Sequence, residues 1–281
     1  MKILLLSQWF QPEPFFKGLP FAQALVVRGH DVQVLTGFPN YPGGKLYPGY
    51  RIRPWQRETI EGIEVIRVPL FPSHDNSGVR RALNYFSFAF SAGTLGAALI
   101  RKPDVIYVYH PPLTTGLAAI AIGTLRRVPF VYDVQDLWPD TIAASGMMLN
   151  PFALMFLGRL CQMVYRRAAH VTVLSPGFKE KLKERGVPDR KLDVIYNWCD
   201  ESVLQPPSLC SLHIRRPQRF TILFAGTMGI VQGLDTVLRV ARICRTTVPS
   251  ADFVFIGGGV ERVRLEKDAA RMGLDNVRFF A

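Results

Sequence analysis

Short apolar and β-branched runs alternate with helix-length segments along the first 198 residues, and this alternation restricts the fold more than any other feature. The strand-like runs are KILLLS (2–7), DVQVLT (31–36), IEVIRV (63–68), DVIYVYH (104–110), PFVYDV (129–134), HVTVLS (170–175) and LDVIY (192–196). Between them lie FAQALVVRGH, residues 79–102, LTTGLAAIAIGTLRR, PFALMFLGRLCQMVYRRA and GFKEKLKERG. Such a rhythm implies an α/β fold, a parallel sheet with helices on both faces. Continuously apolar strands fit burial on both sides. Pro176 and Gly177 open one helix, and Gly186 followed by Pro188 closes it.

The rhythm breaks at residues 199–218, where prolines and mixed charge without periodicity read as a linker. It resumes with strands FTILFAG, DFVFIGGG and NVRFFA around two helical segments. The expected organisation is therefore a first Rossmann-like domain over 1–198, a linker over 199–218 and part of a second such domain over 219–281. Three strands and two helices leave that second domain incomplete.

Nearly half of the chain, 48%, is hydrophobic, enough for large cores and against disorder. A net charge of +12 favours anionic partners: phosphates, nucleotides, nucleic acid or an acidic membrane face. The 4 cysteines are far apart and lack zinc-like spacing, which reads as free thiols in a reducing cytoplasm. MKILLLSQWFQPEP reads as a buried first strand, because its apolar run is too short for a signal peptide. Residues 82–100 carry no charge, but their polar and small residues favour a buried or membrane-surface helix over a span.

In open parallel sheets ligands bind outside the carboxyl ends of the strands. The loops there supply the candidates. The turn AGTMGIVQG, with Gly226 and Gly229, is either a plain tight turn or a place where backbone amides approach a phosphate. Lys17 and Gly18 stand just before the first helix, either a solvated Lys near a cap glycine or a diphosphate contact. The loop GFPNYPGGKLYPGY offers Tyr41, Tyr47 and Tyr50 for stacking and Lys45 for a phosphate, or simply packs. His110, locked by Pro111 and Pro112, suits proton work or hydroxyl binding, or a structural bond to backbone. VYDVQDLWPD holds Asp133, Asp136 and Asp140, which are open to metal binding, capping, or sugar-hydroxyl binding and base chemistry. The segments MFLGRLCQMVYRRAAH and GFKEKLKERG combine apolar faces with Arg and Lys, suited to an anionic bilayer surface or to a core-facing helix with a solvated basic side.

Taken together, MKILLLSQWFQPEPFFKG, RGHDVQVLTGFPNYPGGK, VYDVQDLWPD, VIYNWCD and ILFAGTMGIVQGLDTVL resemble glycosyltransferase family 4, the retaining GT-B enzymes, in the bacterial branch associated with colanic acid, O-antigen and exopolysaccharide assembly. The resemblance covers nearly the whole chain. It implies sugar transfer from a nucleotide sugar of UDP or GDP type, with the second domain holding the donor. The implied acceptor is a polyprenyl-diphosphate-linked saccharide, held by the first domain at an anionic membrane surface. The place of action is the cytoplasm, peripheral on the inner face of the cell membrane. No cofactor, no metal and no nucleic acid are expected. Carried over by residue, Asp136 is the catalytic candidate. Lys17 and Gly18 match the first-domain loop that faces the diphosphate, Asn197 the Asn of the hinge motif, and Gly226 and Thr227 the donor-side glycine turn. With the loop candidates added, Gly18, Asn197, Gly226, Thr227 and Gly229 are expected to face the donor, and Lys17, Tyr41, Lys45 and His110 the acceptor.

There are departures. Phe15 and Phe16 stand where many relatives have two glycines, Gln135 where a His often precedes the acid, and Gln232 where a Lys often meets the donor diphosphate. The family's Glu-x7-Glu motif is expected beyond NVRFFA. The alternative is an inactive fragment acting as a membrane-associated acceptor- or lipid-binding module. An oxidoreductase is disfavoured, because no glycine fingerprint follows the first strand.

Overall fold

The computed structural model describes residues 1–15, 17–73, 77–144, 150–199, 214, 216 and 218–280. They fall into two compact units, Met1–Trp198 and Cys199–Ala281. The linker expected at 199–218 lies largely outside the described residues, as do Phe16 and Cys210.

The first unit is built on an eight-stranded sheet of order β3-β4-β2-β1-β5-β6-β7-β8. Its strands are β1 (Lys2–Leu6), β2 (Asp31–Gly37), β3 (Gln56–Ile60), β4 (Ile63–Val68), β5 (Val105–His110), β6 (Phe130–Val134), β7 (His170–Val173) and β8 (Leu192–Val194). All neighbours are parallel except β3 and β4. That antiparallel edge strand corrects the expectation of a purely parallel sheet. QRETI is polar and alternates partly exposed and exposed, so it carries no apolar signal. Glu61 and Gly62 both have positive φ, 46° and 85°, the turn that joins two twisted strands through two residues.

Residues alternate between the two faces of the sheet. Leu4 and Leu6 enter the larger core with Phe88, Val108, Ala118, Tyr132 and Val164. Ile3 and Leu5 enter the smaller one with Leu19, Ala22, Val34 and Val65. Helix α1 (Leu19–Val27) covers that second face. Helices α2 (Gly78–Ser91), α4 (Thr114–Arg126) and α6 (Pro151–Arg167) supply buried residues to the larger core. The expected helix over 79–102 runs through α2, one turn of π-helix at Ala92–Gly96 and a short α3 (Ala97–Leu99). Gly96 is needed there, because a Cβ would stand 2.7 Å from Leu35. Among the described residues no helix is long and apolar enough to cross a membrane. A short α5 (Asp140–Ala144) follows β6, and α7 (Pro176–Glu184) is capped by the Ser175 hydroxyl, which accepts from the Phe178 amide.

The chain moves outward from β1 to β2 and β4, then returns to the other side of β1 for β5 to β8. The order therefore reverses between β1 and β5, and the crevice outside their carboxyl ends is the place for a ligand.

The second unit has a parallel three-stranded sheet of order β11-β10-β9, formed by β9 (Phe220–Ala225), β10 (Ala251–Ile256) and β11 (Val277–Phe280). Helices α8 (Leu234–Thr247) and α9 (Arg262–Arg271) bury Leu238, Ala241, Leu265 and Ala269 in its core.

Candidate functional site

The reversal point is organised by a buried ion pair. Lys17 is 3% exposed and its Nζ lies 2.6 Å from Asp133 Oδ2. The other carboxylate oxygen accepts from the Thr172 hydroxyl and from Gln135 Nε2, both at 2.9 Å. Gln135 Oε1 in turn accepts from Asn197 Nδ2 at 2.9 Å. Lys17 Nζ also lies 3.3 Å from the Tyr107 hydroxyl and 5.3 Å from the centre of the Trp198 ring. A charge pair survives such burial only when its remaining hydrogen-bond positions are filled, and here they are. The network joins the loop after β1, strands β5, β6 and β7, and the segment that leaves β8. It corrects one expectation, because Lys17 is buried against Asp133 and is not a free cation facing solvent or a diphosphate, and it makes Asp133 the anchor of the strand-end loop.

Gly18 stands at the start of α1. The first amide of that helix, Leu19 N–H, donates to Gln11 Oε1 at 2.8 Å. A Cβ on Gly18 would meet that same oxygen at 2.5 Å. The glycine admits the Gln11 side chain that satisfies the helix end.

Asp136 lies two residues past β6 and is half-buried. Among the described residues its carboxylate has no ion pair and accepts no side-chain hydrogen bond. Loss of hydration raises it above the usual carboxylate range. Its charge also helps to raise the Tyr109 phenol, though burial does most of that. Asp140 opens α5 and accepts from Arg185, consistent with a local structural role.

His110 is fully buried at the end of β5, 5.4 Å from Trp138 in an edge-on contact. Burial depresses its pKa to about 3, so it is a neutral imidazole at neutral pH and not a charged acid. Its Nδ1 has no partner among the described residues.

The loop after β2 is ordered by groups that the sequence does not announce. Glu13, 1% exposed, accepts from the amides of Asn40, Tyr41 and Phe10 at 2.8, 2.7 and 3.1 Å. Burial pushes its carboxyl up to about 7, although those amides oppose the shift. The fully buried Arg67 donates to Gly37 O at 3.0 Å and to Gln11 O, pairs with Glu58 and lies under the Tyr50 ring. Tyr41 packs on Trp9 at 4.8 Å, and Tyr47 donates to the Tyr41 carbonyl at 2.8 Å. Lys45 is exposed. Two of the loop's three tyrosines are thus held by Trp9 and Arg67, and the exposed cation is Lys45.

In the second unit the expected phosphate-facing amides are already bonded. Gly226 N–H donates to Ile256 O at 3.0 Å, Met228 N–H to Gly258 O at 2.7 Å and Gly229 N–H to Gln232 Oε1 at 3.0 Å. Gln232, standing where a Lys was expected, caps the turn that contains Thr227. Gly257 and Gly259 are the residues the sequence reading missed. Each has positive φ, and a Cβ on either would sit 2.3 Å from the carbonyl of Gly226 or Met228. The two glycine loops interlock through backbone.

A family model described as Glycosyl transferase 4-like domain matches residues 19–198. The chain belongs to that family. It is 28% identical over 298 residues to the protein named as colanic acid biosynthesis glycosyl transferase WcaI of Escherichia coli (strain K12), spanning 100% of this chain and 71% of WcaI. Among solved structures it is similar to HepE of Anabaena in complex with UDP and glucose, with a TM-score of 0.62 at 18% identity, covering 99% of this chain and 68% of HepE. A UDP-N-acetylglucosamine 2-epimerase from Rickettsia bellii is similar as well, with a TM-score of 0.57 at 12% identity, over 100% of this chain and 68% of that one. At these identities the structures establish the fold alone, a GT-B fold that serves more than one activity. Family membership identifies the chain as a glycosyltransferase.

Proposed function

We propose that the protein moves a sugar, with retention, from a UDP- or GDP-sugar to a polyprenyl-diphosphate-linked saccharide during bacterial surface polysaccharide assembly. Asp136 carries this reading. It is a desolvated carboxylate with no side-chain partner among the described residues, at the carboxyl edge of the sheet just past β6, the strand next to β5 at the reversal point. It accepts a hydrogen bond from the acceptor hydroxyl while that oxygen bonds to the donor's anomeric carbon on the face from which the nucleoside diphosphate departs, and the hydroxyl proton passes to the departing diphosphate. Gln135 orients the loop through Asp133 and Asn197 and acts as a positioning residue. The reaction uses no metal. Asp136→Asn is expected to lower kcat by about 100-fold or more, with donor KM little changed and wild-type activity unaffected by EDTA. Transfer at the wild-type rate by Asp136→Asn would remove the residue from the site.

The acceptor reading is supported by the surface of α2 and α6. Val79, Leu83, Phe86 and Phe90 form an exposed apolar stripe on α2, and Phe152, Met155, Phe156 and Met163 form another on α6. Neither helix contains an acidic residue, and Arg80, Arg81, Arg159, Arg166 and Arg167 lie on them. An open hollow of about 500 Å³ on α6 is lined by Arg159, Arg166 and Arg167. Apolar stripes flanked by arginines suit the interface of an anionic bilayer on the cytoplasmic side. Phe152→Ser with Phe156→Ser is expected to lower flotation with phosphatidylglycerol-containing vesicles about tenfold or more, leaving the unfolding midpoint unchanged. Equal flotation of the variant and the wild type would dismiss this face.

A further inference from the structure

Between α2, the start of α4, α5 and α6 lies a cavity of about 170 Å³. Its walls include Phe86 and Ala82 of α2, Leu113, Trp138, and Leu157 and Leu160 of α6. We propose that it seats an isoprenoid chain, the first five-carbon unit next to the diphosphate of a lipid-linked acceptor. The proposal rests on the acceptor reading above and adds where the lipid is gripped.

Size is the first argument. An apolar cavity of about 150 Å³ stays dry and takes a benzene-sized molecule, so this one accommodates one isoprene unit. Chemistry is the second. The Thr114 hydroxyl, on a residue only 5% exposed, lines the cavity and has no hydrogen-bond partner among the described residues. An alkene offers a weak π acceptor to that hydroxyl, and a saturated chain offers none.

Position is the third argument. Leu113 and Thr114 follow the end of β5 after Pro111 and Pro112, and Trp138 stands two residues after Asp136. The cavity therefore opens on the same edge of the sheet as the proposed catalytic carboxylate. Charge is the fourth. Arg81 lines the cavity, and Arg159, Arg166 and Arg167 lie on the same helix as its wall residues Leu157 and Leu160. That charge suits a diphosphate held at the mouth. The exposed apolar stripes of α2 and α6 flank the cavity, so a chain rising from a bilayer reaches it without crossing water.

Calorimetric titration tests the seat with farnesyl diphosphate, dodecyl diphosphate, farnesol and inorganic diphosphate as probes. The wild type is expected to bind farnesyl diphosphate at least about tenfold more tightly than inorganic diphosphate, and more tightly than dodecyl diphosphate. Ala82 is exposed on α2, so Ala82→Phe fills the mouth without entering the core. It is expected to abolish the gain from the farnesyl chain, leaving inorganic diphosphate binding and the unfolding midpoint unchanged. Farnesyl diphosphate binding that survives Ala82→Phe overturns the seat and leaves the acceptor reading standing. Equal affinity for the farnesyl and dodecyl probes overturns the isoprenoid assignment. Farnesol binding as tightly as farnesyl diphosphate overturns the diphosphate acceptor itself.

Discussion

Lys17→Met is expected to destabilise the first unit by about 3–5 kcal/mol, the cost of leaving a buried charge unpaired. The variant leaves the buried Asp133 carboxylate without a cation, facing the neutral donors Thr172 and Gln135. Asp133→Leu is expected to cost a similar amount, because it strands the Lys17 ammonium. The double variant Lys17→Met with Asp133→Leu removes both charges and is expected to regain most of the loss. Denaturant unfolding of the four proteins gives the coupling directly. Additive single effects would mean that the 2.6 Å contact carries no interaction of its own. Asn197 reaches Asp133 through Gln135, so the single variants are also expected to speed amide exchange over residues 195–198, away from the altered side chains.

The second large effect is a pH dependence set by Glu13. Burial raises its carboxyl from 4.5 to about 7 in the folded protein. The folded state then holds the proton more tightly than the unfolded chain. The stability linked to this group is full below about 4.5 and is lost as the pH rises to about 7. A shift of that size amounts to about 3 kcal/mol. Glu13→Gln removes the titration but sets an NH2 group against one of the three amide donors, so it is expected to be less stable than the wild type at pH 5. The difference should narrow by about 3 kcal/mol as the pH rises to 8. Unfolding curves at closely spaced pH values test this. Parallel profiles would show that Glu13 stays ionised throughout, held so by the amides of Phe10, Asn40 and Tyr41.

Much of the framework can be read from the residues because its signals are local. Ten of the eleven described strands are apolar or β-branched runs long enough to see, and Ser175, Pro176 and Gly186 mark the ends of α7. β3 is hidden because an edge strand needs apolar residues on neither face, and only the Glu61–Gly62 turn betrays it. The site is harder to read, because its chemistry depends on partners far apart in sequence. Lys17 reads as a solvated or anion-binding cation until Asp133, 116 residues away, is placed against it. Arg67 sits in a run that reads as core, and its burial makes sense only once Glu58 and the carbonyls of Gln11 and Gly37 surround it. The glycine turn at 226–229 looks anion-receptive in sequence, yet the carbonyls of Ile256 and Gly258 and the Gln232 side chain already accept from its amides in the fold. Asp136 has no side-chain partner among the described residues, and it therefore stays the candidate for chemistry.

The central claim is that sugar passes from a nucleotide to a lipid-linked acceptor. The most direct measurement incubates the protein with a radiolabelled nucleotide sugar and membrane lipids, extracts the organic phase, and releases diphosphate-linked saccharide with mild acid. Label that enters the organic phase only with the protein, and returns to water on acid treatment, is the result this account predicts. Label confined to the aqueous phase, or organic label that resists mild acid, would contradict it.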